Sequence, residues 1–251
     1  EKDKKIKELE ITRQRWIMGI LITGFIIISF LIYIINREKN KVKDFLNMLN
    51  KELAVAKKIQ DSIIPKTLPS INNVELDAKY LPMENVGGDF YDFYILDENR
   101  FGIFISDVSG SGIPAALISS MVKIAFSMLK KYANSPKELI KRLNNILSDK
   151  IKGRFITAGY ILVDLNKNEV IYASAGHPAI YIYKKNEKKI GEFIANGILT
   201  GYNDKEEYDE ISIKIDHGDK IILYTDGIIE AFNNKGEIFG ENRVKDIIIK
   251  H

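Results

Sequence analysis

Cysteine is absent from the 251 residues of this chain, which excludes disulfides, thiolate metal sites and every mechanism built on a cysteine nucleophile. Histidine is nearly as scarce. His177, His217 and His251 are the only three, too few and too scattered for a zinc cage, so any metal must be held mainly by oxygen. A strong charge excess is lacking too. The formal net charge is +3, and the Lys-rich ends supply much of the basic character, so nothing points to a nucleic-acid groove and no nucleic-acid partner is expected.

What is present suits one globular domain plus an appendage: 45% hydrophobic and 28% charged residues. The chain begins at Glu1 without a methionine and stops at His251 inside the apolar-periodic run "RVKDIIIKH", so it reads as a piece of a longer polypeptide. The stretch "WIMGILITGFIIISFLIYII", Trp16 to Ile35, contains no charge and at about 1.5 Å per residue spans a bilayer core as a helix. A cleaved signal peptide would have a shorter apolar region and a small-residue cleavage site, whereas "NREKNKVK" follows here. A wholly buried soluble helix is the plain alternative. Orientation is undecided by charge: Lys2, Lys4, Lys5, Lys7, Arg13 and Arg15 precede the run, and Arg37, Lys39, Lys41, Lys43 and Lys51 follow it.

Beyond the apolar run, Val42, Leu46, Leu49, Leu53, Ala56, Gln60 and Ile63 recur at spacings of four and three. That is the seam of a short two-stranded coiled coil, or equally the face of one amphipathic helix lying on its own domain. Pro65 and Pro69 end the helix. The pattern then changes to short strands, among them "DFYDFYIL", "RFGIFISDV", "FITAGYILVD", "EVIYASAG", "AIYIYK", "YDEISIKI" and "KIILYTDG". Two helical stripes, "IPAALISSMVKIAFSMLKKYA" and "SPKELIKRLNNILSDKI", interrupt them, with Ser135 as the expected cap of the second ahead of Pro136. Hairpin-linked strands with inserted helices predict an α+β architecture. The organisation expected is a membrane-proximal end over 1–15, a transmembrane helix over 16–35, a linker helix over 36–68 and a globular domain over 69–251.

A three-residue turn at Asp97, Glu98 and Asn99 pairs Ile95 with Phe101, Phe93 with Ile103, Tyr91 with Ile105 and Asp89 with Asp107. One face of that hairpin is unbroken apolar surface ending in two opposed carboxylates. A slip by one residue mixes polar with apolar positions down the ladder. Opposed like charges, with β-carbons about 4.5–5.5 Å apart, are destabilising. A retained proton would relieve them, as would a hard cation. The cation is favoured because the design repeats: "KIILYTDG" reads as an apolar strand ending at Asp226 before Gly227. Carboxylates from three strand ends, without histidine or thiol, describe an oxygen site for magnesium or manganese. The plain alternative is that Asp89, Asp107 and Asp226 are turn residues, a role better suited to Asp92 and Asp97.

Two look-alikes fail. "GGDFYDF" has Phe90 where a diguanylate cyclase signature needs an acidic residue, and "SDVSGSGIPAAL" lacks the Gly-Lys-Ser/Thr of a phosphate-binding loop. Taken together, "AKKIQDSIIPKTLP", "GGDFYDF", "ISDVSGSGIPAAL", "YASAGHPA" and "YTDGIIEAFNNKGEIFG" resemble, in the same order, the RsbU and SpoIIE type of PPM phosphatases, bacterial relatives of protein phosphatase 2C.

The resemblance covers about residues 54 to 251. It implies a PPM β-sandwich of two antiparallel sheets flanked by helices, two Mg or Mn ions, and hydrolysis of phosphoserine or phosphothreonine on a STAS-domain anti-anti-sigma protein. By motif, Asp107 resembles the carboxylate bridging both metals. The Val108 carbonyl assists one ion, and Asp89 and Asp226 resemble ligands of the other. It further implies a single-pass protein of the bacterial cytoplasmic membrane with its catalytic domain in the cytoplasm, homodimeric through the linker helix, with an N-terminal end like that of a tetratricopeptide-type sensor. Three positions depart from the pattern. The chain stops before a terminal "DD" metal ligand, which leaves the expected second ion weakly held or absent; Ser111 replaces the lysine of "SGKG"; and "GHPA" replaces "GHNP" at His177, which is left outside the catalytic set as a turn or core histidine or a substrate contact. A non-catalytic scaffold binding a STAS partner is the competing function.

Overall fold

A computed structural model describes every residue except Glu84, Asp204 and His251. It divides into two compact units, Glu1–Ala54 and Val55–His251. A single helix, α1 (Lys2–Ile63), contains both the apolar run and the seam, so the expected membrane and linker helices are one element. This helix is long and apolar enough to cross a membrane. Within it every interior backbone group is satisfied by its own turn, the condition a bilayer imposes. It stops at Ile63, short of the expected 68, because Pro65 disfavours helical backbone at the residue before it. The seam divides by environment: Val42, Leu46 and Leu49 are exposed, whereas Gln60 is buried and Ile63 half-buried in the last turn.

In the second unit the alternating segments form two antiparallel sheets. The larger contains β1 (Phe90–Ile95), β2 (Arg100–Val108), β3 (Ile156–Asp164), β4 (Glu169–Ala175) and β7 (Glu210–Lys214) in the order β1-β2-β3-β4-β7. The smaller contains β5 (Ile180–Lys184), β6 (Lys189–Phe193) and β8 (Lys220–Ile222) in the order β6-β5-β8. Strand β6 was not expected from the sequence. Its "KIGEF" carries two charges and a glycine and is mostly part-exposed, so it lacks an apolar face to announce it.

Both faces of the large sheet are covered. On one side lie α2 (Gly112–Met128) and α3 (Pro136–Leu147), whose Val122, Phe126, Leu139 and Leu143 pack with Phe90, Tyr94, Phe104 and Val108. Phe126 stacks on Phe104 at 4.6 Å and on Tyr94 at 4.2 Å between ring centroids. On the other side Phe101, Ile161, Val163 and Tyr172 meet Ile180 and Ile182 of the small sheet. A last helix, α4 (Gly240–Lys250), contributes Val244 to a third cluster with Tyr181 and Tyr224. Ser135 caps α3 by position alone; its hydroxyl makes no capping bond, and Pro136 at the first turn needs none for its missing N–H.

The first hairpin has the expected register, with Ile95 opposite Phe101, Phe93 opposite Ile103 and Tyr91 opposite Ile105. Asp97 builds the turn, accepting from the Asn99 and Arg100 backbone amides and from the Arg100 side chain. Burial is distributed differently from the expectation. The face read as the apolar one is only half-buried at Tyr91, Phe93 and Ile105, while the helix-covered face bearing Phe90, Tyr94 and Phe104 is the deeper core.

Candidate metal centre

One ladder step beyond the Phe90–Ser106 pair brings Asp89, just before β1, beside Asp107 near the end of β2. Their carboxyl groups are in hydrogen-bonding contact. Burial first, then contact with Asp89 and repulsion by Asp89 and Asp226, pushes the Asp107 carboxyl up to about 8. A backbone hydrogen bond from Val108 offsets part of this.

Asp226 arrives from the other sheet, but not on a strand end. Strand β8 stops at Ile222, and Asp226 opens a short 3-10 turn, Asp226–Ile228, four residues further on. The reason lies in pairing: β8 bonds only to β5, over three residues, and then leaves the ladder. Burial, followed by repulsion from Glu230 and Asp89, raises the Asp226 carboxyl above the usual carboxylate range. Its neighbour Thr225 donates its hydroxyl to Asp89 Oδ2 at 3.0 Å and so ties this segment to the first hairpin. Sequence reasoning passed over Thr225, since a threonine before an Asp-Gly turn carries no signal of a partner 136 residues away.

The structure thus joins Asp89 to Asp107 and brings Asp226 within electrostatic reach of both. Among the described residues no three carboxylate or imidazole groups converge closely enough to cage an ion on their own. The donor set nevertheless fits a hard divalent cation: two carboxylates in contact, a third close by, and no nitrogen or sulfur ligand. The Val108 carbonyl belongs to the same corner. A β-carbon on Gly88 would lie 2.8 Å from Val108 O, so only glycine permits this approach of the two backbones.

Surrounding groups have structural tasks. Asp92 points to the other face and pairs with Lys123 of α2 at 2.6 Å. Ser111 occupies the N-cap position of α2 without a side-chain capping bond. Arg154, which the sequence did not single out, lays its guanidinium over the loop between β2 and α2, donating to Ser109 O at 2.5 Å. Gly110, with φ of 88°, leaves room for it. His177 is a core residue, 5% exposed, with Nδ1 3.0 Å from the Thr157 hydroxyl. Thr157 sits across the ladder from Asp107. Burial pushes the imidazole down to about 4, so it is neutral at physiological pH. His177, Thr157, Tyr224, Asp226 and Glu241 line a cavity of about 380 Å³ that adjoins the carboxylates through Asp226.

The family model described as Stage II sporulation protein E (SpoIIE) matches residues 97–251, a span that includes Asp107, Val108 and Asp226 and begins after Asp89. Phosphoserine phosphatase RsbU of Bacillus subtilis (strain 168) is 28% identical over 201 residues, 80% of this chain and 60% of the relative. Phosphoserine phosphatase RsbP of the same organism is 30% identical over 186 residues, 72% and 45% respectively. The chain therefore spans about half the length of these curated relatives. Among solved structures, the SiaA-PP2C domain of Pseudomonas aeruginosa aligns with a TM-score of 0.69 at 22% identity, over 82% of this chain and 83% of that one. The PP2C phosphatase domain of SpoIIE from Bacillus subtilis, with a fragment of its regulatory domain, aligns with a TM-score of 0.51 at 24% identity, over 58% and 42%. At these identities the likeness is one of fold, an α+β PP2C sandwich.

Proposed function

Because the chain belongs to the SpoIIE family, we propose that it is a metal-dependent phosphoprotein phosphatase that hydrolyses phosphoserine or phosphothreonine on a regulatory protein of STAS type. The observation that carries this reading is the touching pair Asp89 and Asp107 with Asp226 nearby. Asp107 would hold both of two Mg or Mn ions, with Asp89, Asp226 and the Val108 carbonyl as further protein ligands. Such ions supply an ionised water for in-line attack and positive charge against the phosphate oxygens.

The chain's own residues do the rest. Thr225 fixes the orientation of the Asp89 carboxylate, and the Ser119 hydroxyl of α2 reaches the Asp89 carbonyl at 3.4 Å. No side chain is needed as a covalent nucleophile. The neutral His177 keeps the wall beside Asp226 free of a competing positive charge.

Placement follows from function. We read residues 16–35 of α1 as a single membrane crossing, with the phosphatase domain on the cytoplasmic side where a partner-switching substrate resides. The exposed Val42, Leu46 and Leu49 support pairing with a second copy. Sedimentation of the full chain in detergent should show a dimer that Leu46→Lys dissociates; a monomeric wild type removes that proposal.

The competing reading is a non-catalytic scaffold of the same fold that captures a STAS partner, and it draws on the open arrangement of Asp226 relative to the other two carboxylates. Turnover of an aryl phosphate with manganese separates the two. Activity that disappears in Asp107→Ala supports the phosphatase; activity unchanged by that substitution refutes the assigned site.

A further inference from the structure

The cavity of about 380 Å³ beside the metal centre shares Asp226 with it, and the phosphatase reading leaves the space unused. Its wall carries the buried His177, whose Nδ1 faces the Thr157 hydroxyl while Nε2 finds no partner among the described residues. A buried polar atom left unpaired in a cavity wall calls for a polar ligand group.

The charge lining this space is of one sign. Glu192 of β6 and Glu241 of α4 join Asp226, and among the described residues no lysine or arginine lines the cavity. Burial holds His177 neutral, so it adds no positive charge. Lys245 reaches the same two glutamates, Glu192 at 2.7 Å and Glu241 at 3.7 Å, but it does not line the cavity, and one ammonium leaves two carboxylates short of a cation. Ile194 and Ile229 supply apolar wall. The complement of such a surface is a long aliphatic stem that ends in a positive charge.

We infer that this cavity is a specificity pocket for a lysine or arginine side chain close in sequence to the phosphorylated residue of the substrate, its stem against Ile194 and Ile229 and its charged head at Glu192 and Glu241. The inference rests on the phosphatase reading above. Because Asp226 belongs to both sites, a side chain seated here is attached near the phosphate rather than on a distant part of the partner. The chain's net charge is +3, so a preference for a basic peptide cannot come from its overall charge and must be local.

The test uses the full chain in detergent micelles with manganese and a series of synthetic phosphoserine peptides. Each carries one lysine, or one norleucine of the same stem without the charge, placed in turn at every nearby position on either side of the phosphoserine. At one position the wild type should favour lysine over norleucine by about tenfold in kcat/KM, the low end for a charge-assisted hydrogen bond. Glu241 is the freer carboxylate, since Lys245 stands closer to Glu192. Glu241→Gln should therefore cut the ratio to within about twofold, and Glu241→Lys should make a glutamate peptide better than the lysine one. Each ratio is taken within one protein, so a general loss of activity cancels. Glu98→Gln, in the turn between β1 and β2, should keep the wild-type ratio.

Equal rates on lysine and norleucine peptides at every position, from a wild type that hydrolyses an aryl phosphate, overturn the inference. So does a preference for lysine that survives Glu241→Lys, or one that Glu98→Gln removes equally, since that reports net charge and not the pocket. A wild type that hydrolyses neither the peptides nor the aryl phosphate overturns instead the phosphatase reading on which the inference rests.

Discussion

Acidification should protonate His177 only by loosening the fold, and the size of the effect follows from its surroundings. The imidazole is 5% exposed, its Nδ1 is engaged by the Thr157 hydroxyl, and its Nε2 has no hydrogen-bond partner among the described residues. The Tyr224 backbone favours the charged ring slightly, but burial dominates and brings the group from 6.5 to about 4. Between those values the unfolded chain binds the proton and the folded chain does not. Stability is therefore full above about pH 6.5 and is lost as pH falls toward 4.

At about 1.36 kcal/mol per unit, the loss from this residue is about 2 kcal/mol at pH 5 and about 3 kcal/mol at pH 4. For a unit the size of Val55–His251, about 2 kcal/mol corresponds to about 4–8 °C in melting temperature. The assay is thermal melting by circular dichroism at about pH 7.5 and pH 5, on wild type and on His177→Gln. Carboxylates titrate in both proteins and cancel in the comparison. Wild type should lose about 4–8 °C more than the variant over that interval; parallel losses in the two proteins would refute the assignment of the shift to His177.

The carboxylate pair makes an opposite prediction. Asp107→Asn should abolish manganese uptake and, in chelated samples near neutral pH, raise stability by about 1 kcal/mol, a figure reduced for solvent screening of a partly exposed pair; a destabilised variant that still binds manganese contradicts the reading. Gly88→Ala drives a methyl to 2.8 Å from the Val108 carbonyl, so it should cost about 1–3 kcal/mol and weaken manganese binding together, checked by melting and calorimetry. Phe126→Ala empties a fully buried site stacked between Tyr94 and Phe104 and should cost about 3–5 kcal/mol in chemical denaturation. Lys123→Met leaves Asp92 unpaired at a part-buried position; it should cost about 1 kcal/mol of stability and leave kcat/KM for an aryl phosphate within twofold.

Several parts of this arrangement were legible without coordinates because they depend on neighbours in the chain. A three-residue turn dictates which residues oppose one another, so the position of Asp89 beside Asp107 could be read from the alternation on either side of residues 97–99. An uncharged run of helical length identifies a membrane-crossing candidate by composition alone. The turn role of Asp97 was also readable from its place between strands, whereas Asp92, read as a turn residue too, lies within β1 and pairs with Lys123 instead.

Other features were not readable, for physical reasons that differ from one residue to the next. The face of the hairpin that became the deep core was misjudged because both faces are apolar, and only α2 and α3 lying on one of them makes the difference. Asp226 was expected at a strand end because local apolarity does not reveal that β8 has a partner for only three residues. Gln60 was read as one more position of the seam, and only the fold brings up the backbone 27 residues away that supplies both its partners.

By itself, then, the order of amino acids determined the α+β class, the hairpin register and the apolar run of α1. Each is set by composition or by contacts a few residues apart. Tertiary structure alone decided that Thr225 would hold Asp89, that His177 would be buried beside Thr157, and that the last turn of α1 would pair with Gly87. Those contacts close only when two sheets and a helix pack together, and the burial that selects them exists nowhere in the extended chain.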